Sequence, residues 1–107
     1  MIDIGMKEAI ETLAWEELQR ANMRFPQFAS THEGYAIIKE EVEETEQELI
    51  DMKESLKGIW TKTKMNSLIM AKKHSREMRE CALNLAAEAI QVAAMCDKFL
   101  NLPNDIL

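Results

Sequence analysis

Nothing between Lys62 and Asn101 is a strong helix breaker, and the earlier stretch from Lys39 to Leu49 carries six glutamates with no glycine or proline among them. Glutamate, alanine, leucine and lysine are good helix formers, so segments built this way read as long helices and not as a disordered acidic tail. Strand formers are scarce, with only two valines, and almost no sheet is expected. At 107 residues, 47% of them apolar, the chain can bury one core and reads as a single domain, residues 1–107.

Apolar spacing divides the chain. Met6, Ile10, Leu13, Ala14, Leu18 and Ala21 mark one face of a helix from about Asp3 to Met23, with Asp3 as its cap. Pro26 then breaks the helix and pushes Phe25 toward an extended backbone. Ser30 and Glu33 form a capping box for a second helix, with Thr31 as a rival cap. That helix carries the acidic stretch to about Leu56, where Lys57-Gly58 marks an end or a kink. A third stretch runs from Trp60 to about Lys73, and a last helix from about Ser75 to Leu100, with Pro103 soon after. The expectation is an all-α, four-helix-bundle-like fold, or three long helices with one kinked.

Several function classes drop out. A net charge of -6 argues against a nucleic-acid-binding module. The charge is uneven, with eight acids from Glu40 to Glu54 and seven Lys/Arg from Lys57 to Arg79. No secretory signal or membrane span is visible, and a cytoplasmic protein is expected. Cys81 and Cys96 lack metal or redox spacing and read as small buried hydrophobes. His32 and His74 do not follow a glutamate by three residues, as a di-iron bundle requires.

At 100° per residue, Glu41, Glu44 and Glu48 fall beside the apolar face of the second helix, while Glu40 and Glu43 point away. The last helix is apolar nearly all round, which predicts burial, yet Asn84, Glu88, Gln91 and Lys98 share one narrow strip of it. A buried carboxylate needs a partner. A divalent cation shared by the pairs Glu41/Glu44 and Glu88/Gln91 is the simplest, with Mg²⁺ preferring oxygen ligands. Glu41 and Glu44 by themselves read first as a solvated acidic face, because acidic helices are common.

Glu40-Glu41-x-x-Glu44 followed by Glu88-x-x-Gln91 resembles the EExxE…ExxD signature of MazG-like all-α nucleoside triphosphate pyrophosphohydrolases. The flanking segments Phe28-Ala-Ser-Thr-His-Glu-Gly-Tyr35 and Ala86-Ala-Glu-Ala-Ile-Gln-Val-Ala-Ala-Met95 are similar to small phage-type and bacterial members. The resemblance covers roughly residues 25–99. It implies a MazG-type bundle with an oligomeric core, a homodimer or homotetramer. It also implies Mg²⁺-dependent (Mn²⁺ also suits) cleavage of a nucleoside triphosphate to monophosphate and pyrophosphate, a house-cleaning of nucleotide pools. Carried over, Glu41, Glu44 and Glu88 are metal ligands with Gln91 at the fourth position, and Glu40, Glu41 and Glu44 form the catalytic motif. Glu40 would orient or activate water. Gln91 stands where the signature has Asp, which weakens metal affinity or lowers the number of ions held.

Substrate contacts have two readings each. Lys98 and Asn84 touch phosphate, or Lys98 serves the helix dipole and Asn84 the structure. His32 touches base or triphosphate, or supports the helix start. Trp15 fits core or subunit packing, and Trp60 a packing anchor. The rival function is a non-catalytic helical oligomer, a binding or regulatory protein, in which the acidic stripe meets the Lys57 to Arg79 segment of another copy.

Overall fold

The computed structural model describes residues 1–106, and among them there are three helices and no strand. Helix α1 spans Ile4–Arg24, α2 spans Thr31–Lys64 and α3 spans Leu68–Leu100. No helix among the described residues is long and apolar enough to cross a membrane.

Local chemistry sets each boundary. Asp3 caps α1 by accepting the Met6 N–H at 3.1 Å. Ser30 Oγ accepts the Glu33 N–H at 3.1 Å, and Glu33 returns a carboxylate oxygen to the Ala29 N–H at 3.3 Å, one residue before the position a standard capping box uses. The expected break at Gly58 is absent: α2 runs through it to Lys64, and α3 runs unbroken from Leu68 to Leu100, so the expected third stretch, Trp60 to about Lys73, is divided between the two. The break falls at Met65–Ser67. Asn66 takes a left-handed φ of 55°, Ser67 N–H reaches back to the Lys62 carbonyl at 2.9 Å, and Asn66 N–H reaches Thr63 at 3.0 Å. This is the Schellman termination, with asparagine in the place glycine usually holds.

The chain forms two compact units, residues 1–42 with 88 onward, and residues 43–87; α2 and α3 contribute a part to each. The first unit holds the hydrophobic cluster of Leu18, Phe28, Ala94, Met95 and Leu102, with Ala21, Ile37, Ile38, Phe99 and Ile106 packed around it. Gly34 is buried inside this cluster, where a Cβ would stand 2.6 Å from the Phe99 ring and 3.0 Å from Phe28. The second unit buries Ser55 and Ala71. There Gly58 allows close approach of the His74 imidazole, which a Cβ would meet at 2.6 Å. Its role is steric contact, not helix termination.

Burial is less complete than periodicity suggests. On α1, Ala14 and Leu18 are buried, whereas Met6, Ile10 and Leu13 from the same stripe are exposed. Trp15 and Trp60 are both about 60% exposed, so neither anchors the core; Lys64 Nζ sits 5.3 Å from the Trp60 ring centre. Helix α3 is not buried all round: Leu83, Ala86, Ala89 and Ala93 are exposed, while Ala94, Met95 and Lys98 are buried. Nor are the cysteines fully buried. Cys96 is exposed and Cys81 half-buried, its thiol pKa raised by desolvation and then by the nearby Glu48 and Asp51 carboxylates.

Candidate metal centre

Glu41 lies on α2 and Glu88 on α3, both half-buried at the edge of the first unit's core. Glu44 follows Glu41 by one helical turn, which keeps both on one face of α2. Each of Glu41, Glu44 and Glu88 offers a carboxylate oxygen, and the three oxygens lie within 4.8 Å of one another. Two positions three apart in sequence thus meet a third from 44 residues further along the chain.

Gln91, one turn after Glu88, joins them. With its amide turned to satisfy both neighbours, Nε2 donates to Glu41 Oε2 at 2.9 Å and to Glu88 Oε2 at 3.0 Å. Both amide hydrogens are therefore used on carboxylates, bridging α2 to α3 with charge-assisted bonds. An aspartate here could not donate in its ionised form. To serve as a metal ligand, Gln91 has to turn its carbonyl oxygen inward and release both bonds.

The donor set is all oxygen and carries three negative charges, with no histidine or cysteine. Hard cations such as Mg²⁺ and Mn²⁺ prefer such a set. Electrostatics point the same way. Two unit charges 4 Å apart repel by about 1 kcal/mol in bulk water and by about 4 kcal/mol near a protein surface. A divalent ion relieves every pair at once, and Gln91 bridges Glu41 and Glu88. The residues fit a divalent cation.

The other expected site residues lie apart from this cluster. Glu40 is exposed, about 100° round α2 from Glu41. His32 is exposed in the first turn of α2, nine residues before Glu41, about 13 Å along the helix. Asn84 is exposed on α3. Lys98 stands ten residues beyond Glu88, about 15 Å along α3. It is 6% exposed, and its Nζ donates to the Phe25 carbonyl and lies 4.9 Å from the centre of the Phe28 ring. Helical periodicity had set it on the strip with Glu88, and nothing in that pattern signalled its burial or its bond to a loop carbonyl. In the sequence Phe25 marks the break between helices and, with Phe28, an aromatic pair beside His32. Its exposed ring lines, with Glu33, Ile37 and Lys98, a cavity of about 320 Å³ in the first unit.

In comparisons with known proteins, no family model, no curated protein and no solved structure matches this chain. The fold and the cluster define its class: an all-helical chain with an oxygen-rich, three-carboxylate cation site candidate on α2 and α3.

Proposed function

We propose that the chain is a Mg²⁺-dependent nucleoside triphosphate pyrophosphohydrolase that releases a monophosphate and pyrophosphate, acting on nucleotide pools. The convergence of Glu41, Glu44 and Glu88 carries this reading. These three positions are also three of the four acidic members of the two motifs that resemble the MazG-like signature, Glu40 being the fourth. Glu41, Glu44 and Glu88 would hold the ion, with the Gln91 carbonyl as a fourth donor once the amide turns. Bound there, Mg²⁺ neutralises triphosphate charge and lowers the pKa of a coordinated water. Glu40, next in sequence to Glu41 and open to solvent, takes the role that the motif gives it, orienting or deprotonating the attacking water. His32 and Asn84 are solvent-facing positions open to substrate.

A MazG-type helical bundle assembled as a homodimer or homotetramer belongs to the same reading. The exposed Met6, Ile10, Leu13 and Trp15 on α1 support it, because large exposed apolar side chains grouped on one element mark contact surfaces. That exposure equally favours the second reading, a helical oligomer that binds or regulates without catalysis.

The deciding experiment incubates the protein with a panel of ribo- and deoxyribonucleoside triphosphates and Mg²⁺, and reads out pyrophosphate and monophosphate. Metal-dependent release that falls at least a hundredfold in Glu41→Gln and in Glu88→Gln supports the hydrolase. No release from any triphosphate, with a melting temperature indifferent to millimolar Mg²⁺ and Mn²⁺, leaves the non-catalytic oligomer.

A further inference from the structure

The cavity bounded by Phe25, Glu33, Ile37 and Lys98 lies within the first unit and away from the carboxylate cluster. Along α2, Glu33 precedes Glu41 by eight residues, about 12 Å; along α3, Lys98 follows Glu88 by ten, about 15 Å. Both offsets match the reach of an extended nucleoside triphosphate whose phosphates sit at the carboxylates.

Lys98 is the unusual member. A buried ammonium is costly unless it is paired, and its two partners, the Phe25 carbonyl and the Phe28 ring, are both neutral. An ammonium has three donors, and Phe25 takes one. Lysine therefore brings a fixed hydrogen-bond donor to the wall of the cavity. Glu33 lines the same cavity and carries a carboxylate. One oxygen holds the Ala29 N–H, which leaves acceptor capacity on the other. A phosphate would meet attraction from Lys98 and repulsion from Glu33. A neutral ligand carrying acceptor and donors side by side satisfies both.

We infer that this cavity is a nucleobase subsite that selects guanine, with Lys98 donating to the base carbonyl O6 and Glu33 accepting from the adjacent N1–H and N2–H₂. The inference rests on the hydrolase reading for its placement of the phosphates. Guanine alone among the common bases sets a carbonyl beside two donors on one edge. Adenine has no carbonyl, cytosine has no ring N–H, and thymine or uracil offers one donor in place of two. The exposed Phe25 ring supplies a stacking face, and Ile37 an apolar wall. Lys98 then reads the base, not the phosphate that its place on the Glu88 strip suggested. A site built to hydrogen-bond a substrate rejects analogues that leave its polar groups unpaired.

Two measurements on the full chain test this. In Mg²⁺-supported turnover, kcat/KM for guanine triphosphates exceeds that for adenine by about tenfold or more, the scale of one bidentate base contact. Glu33→Gln, which retains an acceptor for the Ala29 cap, reduces that ratio about tenfold, and Lys98→Met does the same. Independently, GMP titrated without metal shifts the NMR signals of Phe25 and Ile37 at concentrations about tenfold below AMP, and Glu33→Gln removes the difference. Equal turnover of all bases, or GMP that leaves those signals unmoved, overturns the guanine subsite. GMP binding in the cavity without turnover of any triphosphate upholds the subsite and sinks the hydrolase. Turnover without base preference or GMP shifts upholds the hydrolase and sinks the subsite.

Discussion

Gln91 is where the chain leaves the motif it resembles, and its two amide bonds give that departure a chemical content. It binds Glu41 and Glu88 together. Gln91→Asp removes both donors and adds a fourth negative charge. Without divalent ions the variant melts below the parent, by repulsion among four carboxylates. With millimolar Mg²⁺ the order narrows or reverses, because a tenfold gain in metal affinity adds about 1.4 kcal/mol once the site is filled. Thermal melts of both proteins across a Mg²⁺ series check this, and parallel curves would detach Gln91 from metal binding. Gly34 makes a plainer prediction. Its absent Cβ leaves room for the Phe99 and Phe28 rings, which belong to the packed core and cannot swing away freely. Gly34→Ala gains helix propensity of about 1 kcal/mol and loses about 1–3 kcal/mol to overpacking. Net loss in a urea titration is expected, and a stabilised variant would mean that the rings yield.

The end of α2 shows how element-scale signals can mislead. Gly58 is the strongest local breaker in that part of the chain, yet the helix passes through it. The glycine answers to the His74 ring on another helix, a demand that no local pattern reveals. The true stop, Asn66, is legible in hindsight as a residue tolerant of left-handed backbone, two places before an apolar run resumes. Asn66→Gly removes the residual cost of a side chain at φ 55° and should stabilise by a few tenths of a kcal/mol, less than a full replacement gains because asparagine already tolerates this region. Asn66→Ala should cost about 1 kcal/mol. Chemical denaturation of the two variants gives the sign, and equal midpoints would discount the Schellman turn as a stability element. The first helix and the start of the second were fully legible, because Asp3 and Ser30 act within four residues of themselves. The carboxylate trio was legible in part: helical phase sets Glu41 and Glu44 on one strip of α2 and Glu88 on a strip of α3, but it sets Glu48 beside the first two as well and does not separate it from them. What periodicity cannot show is which strip another element covers. Lys98 and Glu88 share a strip, but one is buried and the other half-buried.

At the scale of the molecule, apolar content and burial disagree. The sequence is 47% apolar, yet Ile4, Met6, Leu68 and Ile69 stand in solvent, each at least 60% exposed. A helix apolar nearly all round predicts burial only if enough chain exists to surround it, and three helices leave much of α3 uncovered. The proposed assembly would resolve the mismatch, with the stripe on α1 as one surface to be covered. The two compact units add a kinetic consequence. Helix α2 is a single hydrogen-bonded rod, but its first third shares a unit with the Phe28 cluster, while the remainder belongs to a unit that buries Ser55 and Ala71. Local opening follows buried contacts more closely than helical continuity. Amide hydrogen exchange in the isolated chain should therefore fade along one unbroken helix, slow from Ile37 to Glu41 and progressively faster beyond Glu43. If exchange is instead uniformly slow to Lys62, a second chain is shielding the far end, and the protection profile becomes a map of where that chain lies.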